Sequence, residues 1–79
     1  MTNFEKYIAT FREAFLLEES KIPNLVYQEI DAWDSVGHMS LMAALEEAFQ
    51  IEMEIDDIID FSSFAAGILI LAKYGVVME

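Results

Sequence analysis

Ser35 and His38 stand three residues apart in Trp33-Asp34-Ser35-Val36-Gly37-His38-Met39, the stretch richest in groups that can do chemistry. A serine hydroxyl becomes a nucleophile when a base takes its proton, and His38 is the only histidine in the chain. On a helix, residues at i and i+3 share a face, so the two side chains can approach. An esterase would also need an oriented base, an oxyanion hole and a substrate cleft, and nothing beside the pair supplies them convincingly. His38 is therefore expected to be a solvated polar residue on an outer face, and the chain is not read as an enzyme. A second chemistry is phosphate attachment. Asp34 and Ser35 are both helix-capping types, and a hydroxyl at a helix N-terminus lies where backbone N–H groups and the helix dipole favour a bound phosphate. A third is metal binding by Asp56, Asp57 and Asp60. That cluster lacks the Asp-x-Asp-x-Asp-Gly loop and distant glutamate of a calcium site, so it reads as a solvated acidic helix start with weak cation association at most, and no metal site is assigned.

The helix that must position Ser35 follows it directly, over about residues 35 to 50. Leu41, Leu45 and Ala48, with Met42 and Phe49 beside them, form an i, i+4, i+7 face wide enough to be the core side. Val36, Met39 and Ala43, continued by Glu46, form a second stripe on the same helix. A small bundle rarely needs two apolar faces on one helix, so the second stripe is a candidate docking surface.

The other elements follow from spacing and caps. Thr2 and Glu5 have capping-box spacing, and Phe4, Ile8, Phe11 and Phe15 then mark the core face of a helix over residues 3 to 17. Lys21-Ile22-Pro23-Asn24 stops it, because proline pushes the preceding residue out of the helical region. From Leu25 to Trp33 no helical period appears. This is a long loop pinned by Leu25, Tyr27, Ile30 and Trp33, with the Trp33 ring expected to pack over the helix ends and fix the approach to Ser35. Ile51, Met53 and Ile55 alternate with acids as an extended connector, apolar side inward. Asp56 or Asp57 would cap a short helix through Ile58 and Ile59. Ser62 or Ser63 would cap a last helix from Phe64 to Tyr74, with Ile68 and Leu71 inward, Lys73 at its negative end and Gly75 closing it. Ala65, Ala66 and Gly67 would either loosen packing there or allow close helix contact. The fold class is all-α: a small four-helix bundle of three main helices plus a short third helix, in a single domain over residues 1–79.

Composition agrees with such a domain and narrows its partners. An apolar content of 56% argues for a folded chain, and the absence of cysteine leaves stability to the core and is compatible with a reducing cytosol. No signal peptide or membrane span is read, and a cytoplasmic location is expected. Net charge is −11, and the four basic residues, Lys6, Arg12, Lys21 and Lys73, all lie outside residues 22–72, through which acids recur from Glu29 to Asp60. Such a field repels phosphate backbones, so nucleic acid is excluded as a partner, while basic protein patches would be attracted. Plain solubility accounts equally for the charge alone.

Asp34-Ser35-Val36, followed by the acidic, Met- and Leu-rich helix through Ala44-Leu45-Glu46-Glu47-Ala48-Phe49, resembles the acyl carrier protein family. The resemblance covers nearly the whole chain: first helix, long loop, Asp-Ser-Leu-type motif, recognition helix, short third helix and last helix. The form Trp33-Asp34-Ser35-Val36-Gly37-His38 is similar to stand-alone carriers of specialised bacterial biosynthetic pathways; peptidyl carriers are related but usually show glycines before the motif. The resemblance implies that Ser35 carries 4′-phosphopantetheine derived from coenzyme A, that Asp34 is the preceding motif residue, and that acyl groups ride as thioesters on the arm. It further implies docking through Val36, Met39, Ala43 and Glu46 on a phosphopantetheinyl transferase and on acyl-loading and acyl-transfer enzymes with basic patches, by a monomer. The competing expectation is an unmodified acidic helical interaction module, and the carried group is left open between acyl, aminoacyl and peptidyl.

Overall fold

Thr2 starts the first helix as its spacing predicts. In the computed structural model, which describes residues 1–78, the Thr2 side chain accepts the Glu5 N–H at 3.1 Å while the Glu5 carboxylate accepts the Thr2 N–H at 2.8 Å. Those bonds from Thr2 hold the Glu5 carboxyl below the ordinary glutamate range. Helix α1 (Asn3–Phe15) stops two residues short of the expected end, with Leu16 in the left-handed region at φ 55° and its N–H on the Arg12 carbonyl. Its buried face is Tyr7, Thr10, Phe11 and Phe15, while Phe4 and Ile8 are only half-buried. Tyr7 takes the central place because its hydroxyl donates to the Phe64 carbonyl at 2.7 Å, which satisfies its one polar atom inside the core. Burial pushes that phenol's pKa well above the ordinary tyrosine value.

The long loop is pinned as expected by buried Leu25 and Trp33, with Ile22 added and Tyr27 and Ile30 half-buried. A 3₁₀ turn over Glu19–Lys21 precedes it. Midway it meets the link between the last two helices: Tyr27 N–H donates to Ser62 O at 2.8 Å and Phe64 N–H to Leu25 O at 3.0 Å. This pairing is an isolated antiparallel bridge between Val26 and Ser63.

Helix α2 (Ser35–Phe49) buries Leu41, Met42 and Leu45 against α1 and leaves Ala48 and Phe49 half-buried. Gln50 ends it in the left-handed region at φ 56°. The connector buries Met53, but Ile55 is 73% exposed rather than inward. The reason is that helix α3 (Ile55–Asp60) already begins there, so the alternation stops and the helical turn carries Ile55 to the surface. Asp57 departs further from the solvated acidic start that was expected. It is 6% exposed, accepts from Lys73 Nζ at 2.5 Å and from the Tyr74 hydroxyl, and so ties α3 to the end of the last helix. Helix α4 (Phe64–Ala72) is capped by Ser63, whose hydroxyl accepts the Ala66 N–H at 2.9 Å. It ends at Ala72, ahead of the expected Tyr74, and Gly75 follows at φ 84°. Its buried face is Phe64, Gly67, Ile70 and Leu71, with Ile68 only half-buried.

Phe11 is the hub of the interior. Its ring meets those of Tyr7, Phe64 and Trp33 with centroids 5.0, 5.2 and 5.5 Å away. Close contact, not looseness, is what Gly67 provides: a Cβ there would sit 2.1 Å from the Tyr7 hydroxyl and 2.2 Å from the Phe61 ring. The described residues thus form four α-helices and no strand, and no helix among them is long and apolar enough to cross a membrane.

Leu45 has no exposed surface, so Leu45→Ala is expected to lower unfolding free energy by about 2–5 kcal/mol, measured by denaturant titration. Lys73, and then Tyr74, hold the Asp57 carboxyl below its ordinary value. A depressed folded-state pKa gives stability that is present above the unfolded value, about 3.9, and is lost as pH falls through the lower folded one. Asp57→Asn should therefore lower stability at neutral pH and flatten its fall below about pH 4, read from denaturant midpoints across acid pH.

Candidate functional site

Trp33 is wholly buried, and its backbone is held by Trp33 N–H to Ile30 O at 3.1 Å and Gln28 N–H to Trp33 O at 3.0 Å. The chain leaves this anchor and turns at once into α2. Asp34 caps the helix, its Oδ1 accepting the Gly37 N–H at 2.8 Å and its carbonyl the His38 N–H at 2.7 Å. Ser35, the first residue of α2, is exposed. The N–H groups of Ser35 and Val36 point out of the helix mouth with no intrahelical acceptor, as in any first turn. A phosphate ester on the Ser35 hydroxyl would be held by those donors and by the positive end of the helix dipole.

Gly37 makes this approach possible, although the sequence drew no attention to it. A Cβ on Gly37 would lie 1.9 Å from the Ala32 carbonyl oxygen. The loop backbone therefore presses against the first turn of α2 through a gap only glycine leaves. A glycine two residues after a candidate modification site was the available signal.

His38 is not the solvated outer residue that was expected. It is half-buried, its Nδ1 lies 2.9 Å from the Trp33 indole Nε1 and its Nε2 lies 2.7 Å from the Ile58 carbonyl. An indole N–H only donates and a carbonyl only accepts, so Nδ1 must be bare and Nε2 must carry the proton. Both nitrogens are thereby engaged, and neither is free to take a proton from Ser35. Partners outside α2, Trp33 in the loop and Ile58 twenty residues on, explain why helical spacing alone misplaced it.

Beside Ser35 lies a mostly apolar groove of about 350 Å³, walled chiefly by Tyr27, His38, Met39, Ile58, Ile59 and Phe61. Val36 and Met39 are 74% and 55% exposed, and Ala43 is exposed with them, so the second stripe of α2 faces solvent. Ile55 and Ile59 of α3, 73% and 71% exposed, are further apolar surface that the sequence reading passed over. Their i, i+4 spacing was the signal, concealed by the apparent alternation through Ile55. Glu46 is placed differently from its neighbours on the stripe: it is half-buried and its Oε2 accepts the Met53 N–H at 2.8 Å, securing the connector. The exposed acids Asp34, Glu47, Asp56 and Asp60 lie on the same two helices or at their caps. A larger open groove of about 470 Å³ lies between α1 and α2, walled by residues such as Thr10, Ala14, Ser40 and Ala44, without Ser35. Among the described residues no three His, Asp or Glu side chains converge to hold a metal ion.

No protein-family profile, curated protein or solved structure matches the chain.

Because the atom that a Gly37 side chain would strike belongs to the backbone, no side-chain rotation can relieve the contact. Gly37→Ala should destabilise the protein by about 1–3 kcal/mol or more, as overpacking does, and shift the emission of Trp33. Wild-type stability and emission in that variant would refute the close approach.

Proposed function

We propose that the protein is an acyl carrier: a substrate-bearing partner without catalysis of its own, which holds 4′-phosphopantetheine on Ser35. The observation that carries this reading is the exposed Ser35 hydroxyl at the capped mouth of α2, with an apolar groove beside it. The resemblance of Asp34-Ser35-Val36 and the following helix to the carrier motif supports the same reading.

In the loading step a phosphopantetheinyl transferase would bring coenzyme A to the helix mouth. The Ser35 Oγ attacks the pyrophosphate phosphorus that bears the pantetheine, the Oγ–P bond forms, and the bond to the other phosphate breaks. Adenosine 3′,5′-bisphosphate leaves with the electron pair, and the serine proton passes to a base on the transferase. Asp34 keeps the first turn of α2 formed, so the free N–H groups of Ser35 and Val36 would be available to hold a phosphodiester on Ser35. When bound, the arm supplies a thiol that holds acyl groups as thioesters.

Val36, Met39 and Ala43, joined by Ile55 and Ile59, form the docking face in this reading. The small apolar patch suits contacts that are weak and quickly released, as a carrier visiting several enzymes requires. The surrounding carboxylates steer basic patches on those enzymes toward it and repel nucleic acid. Glu46 contributes charge at the edge of the face while its carboxylate also secures Met53. The carrier would work as a monomer in the cytoplasm, within a specialised biosynthetic pathway.

The same exposed apolar face amid carboxylates also fits an acidic interaction module that is never modified. Ser35 separates the two. On incubation with coenzyme A and a broad-specificity phosphopantetheinyl transferase, the intact mass should rise by one phosphopantetheinyl group in the wild type and stay unchanged in Ser35→Ala. A folded wild-type protein that gains no mass beside a carrier that does would favour the unmodified module.

A further inference from the structure

Helix α3 has few apolar holds. It is a single short helix whose Ile55 and Ile59 face solvent, whereas only Ile58 among its isoleucines turns inward, half-buried. Polar contacts fix its two ends. At the N-terminal end, Asp57 binds Lys73 and Tyr74 of the chain after α4, and the Glu54 N–H donates to the Tyr74 hydroxyl at 2.9 Å. At the C-terminal end, the polar hold from outside the helix is His38, through the Ile58 carbonyl at 2.7 Å, beside the apolar anchor of Phe61, which follows α3 and is 1% exposed. The same imidazole accepts the Trp33 indole N–H and lies parallel to the indole, centroids 6.2 Å apart and planes 15° apart. It therefore joins three segments: the loop, α2 and α3. It also forms part of the wall of the groove beside Ser35, as do Ile58 and Ile59 of α3.

We infer that His38 is a proton-sensitive latch on α3, keeping the groove beside Ser35 at its present volume of about 350 Å³ while neutral and letting it widen when it gains a proton. Both partners have fixed roles, so only one protonation state fits. A second proton on Nδ1 sets two N–H groups against each other, His38 Nδ1–H facing Trp33 Nε1–H. The indole is wholly buried and stacked on Phe15 with centroids 5.5 Å apart, so the imidazole is the ring that must move. As it moves it gives up the Ile58 carbonyl, and the C-terminal end of α3 loses its polar hold. Histidine is the side chain that makes this charge change between about pH 8 and pH 5. The titratable groups on the three segments it joins are the Tyr27 phenol, whose ring centroid is 5.2 Å away, Glu29 and Asp31 of the loop, Asp34, Glu46 and Glu47 at or on α2, and Asp56, Asp57 and Asp60 of α3. Asp57 is already paired with Lys73. The freed imidazolium would therefore have acidic neighbours and no cation drawn to its place. Opening α3 widens the groove at Ile58 and Ile59, which on the carrier reading regulates the space offered to whatever Ser35 carries; that consequence rests on the proposed function, whereas the latch does not.

The test is an NMR titration of the full chain from about pH 8 to pH 5, the histidine range, following the His38 ring, the Trp33 indole N–H and the α3 amides. The expected result is one shared midpoint: as the His38 ring titrates, the indole N–H resonance shifts and the Ile58 and Ile59 amides lose exchange protection beyond the intrinsic pH effect. In His38→Gln, which cannot titrate there, the shared transition should vanish whether or not the amide side chain spans the two partners. Indole and α3 signals that stay still while the wild-type ring titrates would overturn the latch, and so would a ring that stays neutral down to about pH 5 or a transition that persists in His38→Gln. The Ser35→Ala chain should titrate as the wild type does, so a protein that fails to take up phosphopantetheine leaves this result standing or falling by itself.

Discussion

A buried indole N–H with a single available acceptor governs the arrangement around Ser35. Leaving such a donor unpaired in the core would cost about 1–3 kcal/mol, and the Trp33 N–H is met by one atom, His38 Nδ1. That bond dictates where the first turn of α2 sits relative to the loop. Stacking of the same indole on Phe15 and its edge contact with Phe11 tie both to α1. Asp34 and Ser35 follow Trp33 directly, so they inherit its position with almost no freedom left in between. The residue whose exposure matters is thus placed by the residue that is not exposed at all.

The chain treats its helices unequally. α1 and α2 share a continuous apolar face, with Tyr7, Phe11 and Phe15 against Leu41, Met42 and Leu45. α3 relies on charged and ring groups at its ends. The basic residues show a similar division of labour. Lys6 reaches the Ala48 carbonyl at 3.4 Å and lies over the Phe49 ring, and Arg12 pairs with Glu19. Both act near the α1 surface or the far end of α2, so the acids around the Ser35 end of α2 and most of α3 keep an uncompensated field. Only Lys73 crosses into that region, and Asp57 takes it.

Much of this was legible in the sequence because it depends on neighbours in the chain. The Thr2 and Ser63 caps, the start of α2 at Ser35 and the exposure of Val36 and Met39 follow from spacings of one helical turn. Tyr7, Asp57 and His38 were not legible, and for one reason. These partners lie 57, 16 and 20 residues away, at Phe64, Lys73 and Ile58, so no local pattern shows that their polar atoms can be satisfied inside the fold. Each has a polar tip that simple patterning assigns to solvent, and each is drawn inward by a partner that only the folded chain supplies. Ile55 failed in the opposite sense. Alternation placed it inward, but a helix beginning at that residue replaced the period of two with one of 3.6. Gly37 was passed over, since what it accommodates is a loop carbonyl rather than a turn, whereas at Gly67 close contact was one of two expectations and the Tyr7 hydroxyl and Phe61 ring decide for it.

The two longest helices both end on a residue that pays for its backbone shape. Leu16 and Gln50 adopt the left-handed conformation at φ 55° and 56°, where glycine is at ease and a side chain costs roughly 1–2 kcal/mol. Leu16 is 88% exposed, so its side chain recovers little of that cost through burial. Neither residue lines the groove beside Ser35. The fold accordingly keeps a thermodynamic reserve at two surface joints. An engineer could draw on it to harden the scaffold while leaving the helix mouth, its groove and its acidic surroundings as they are.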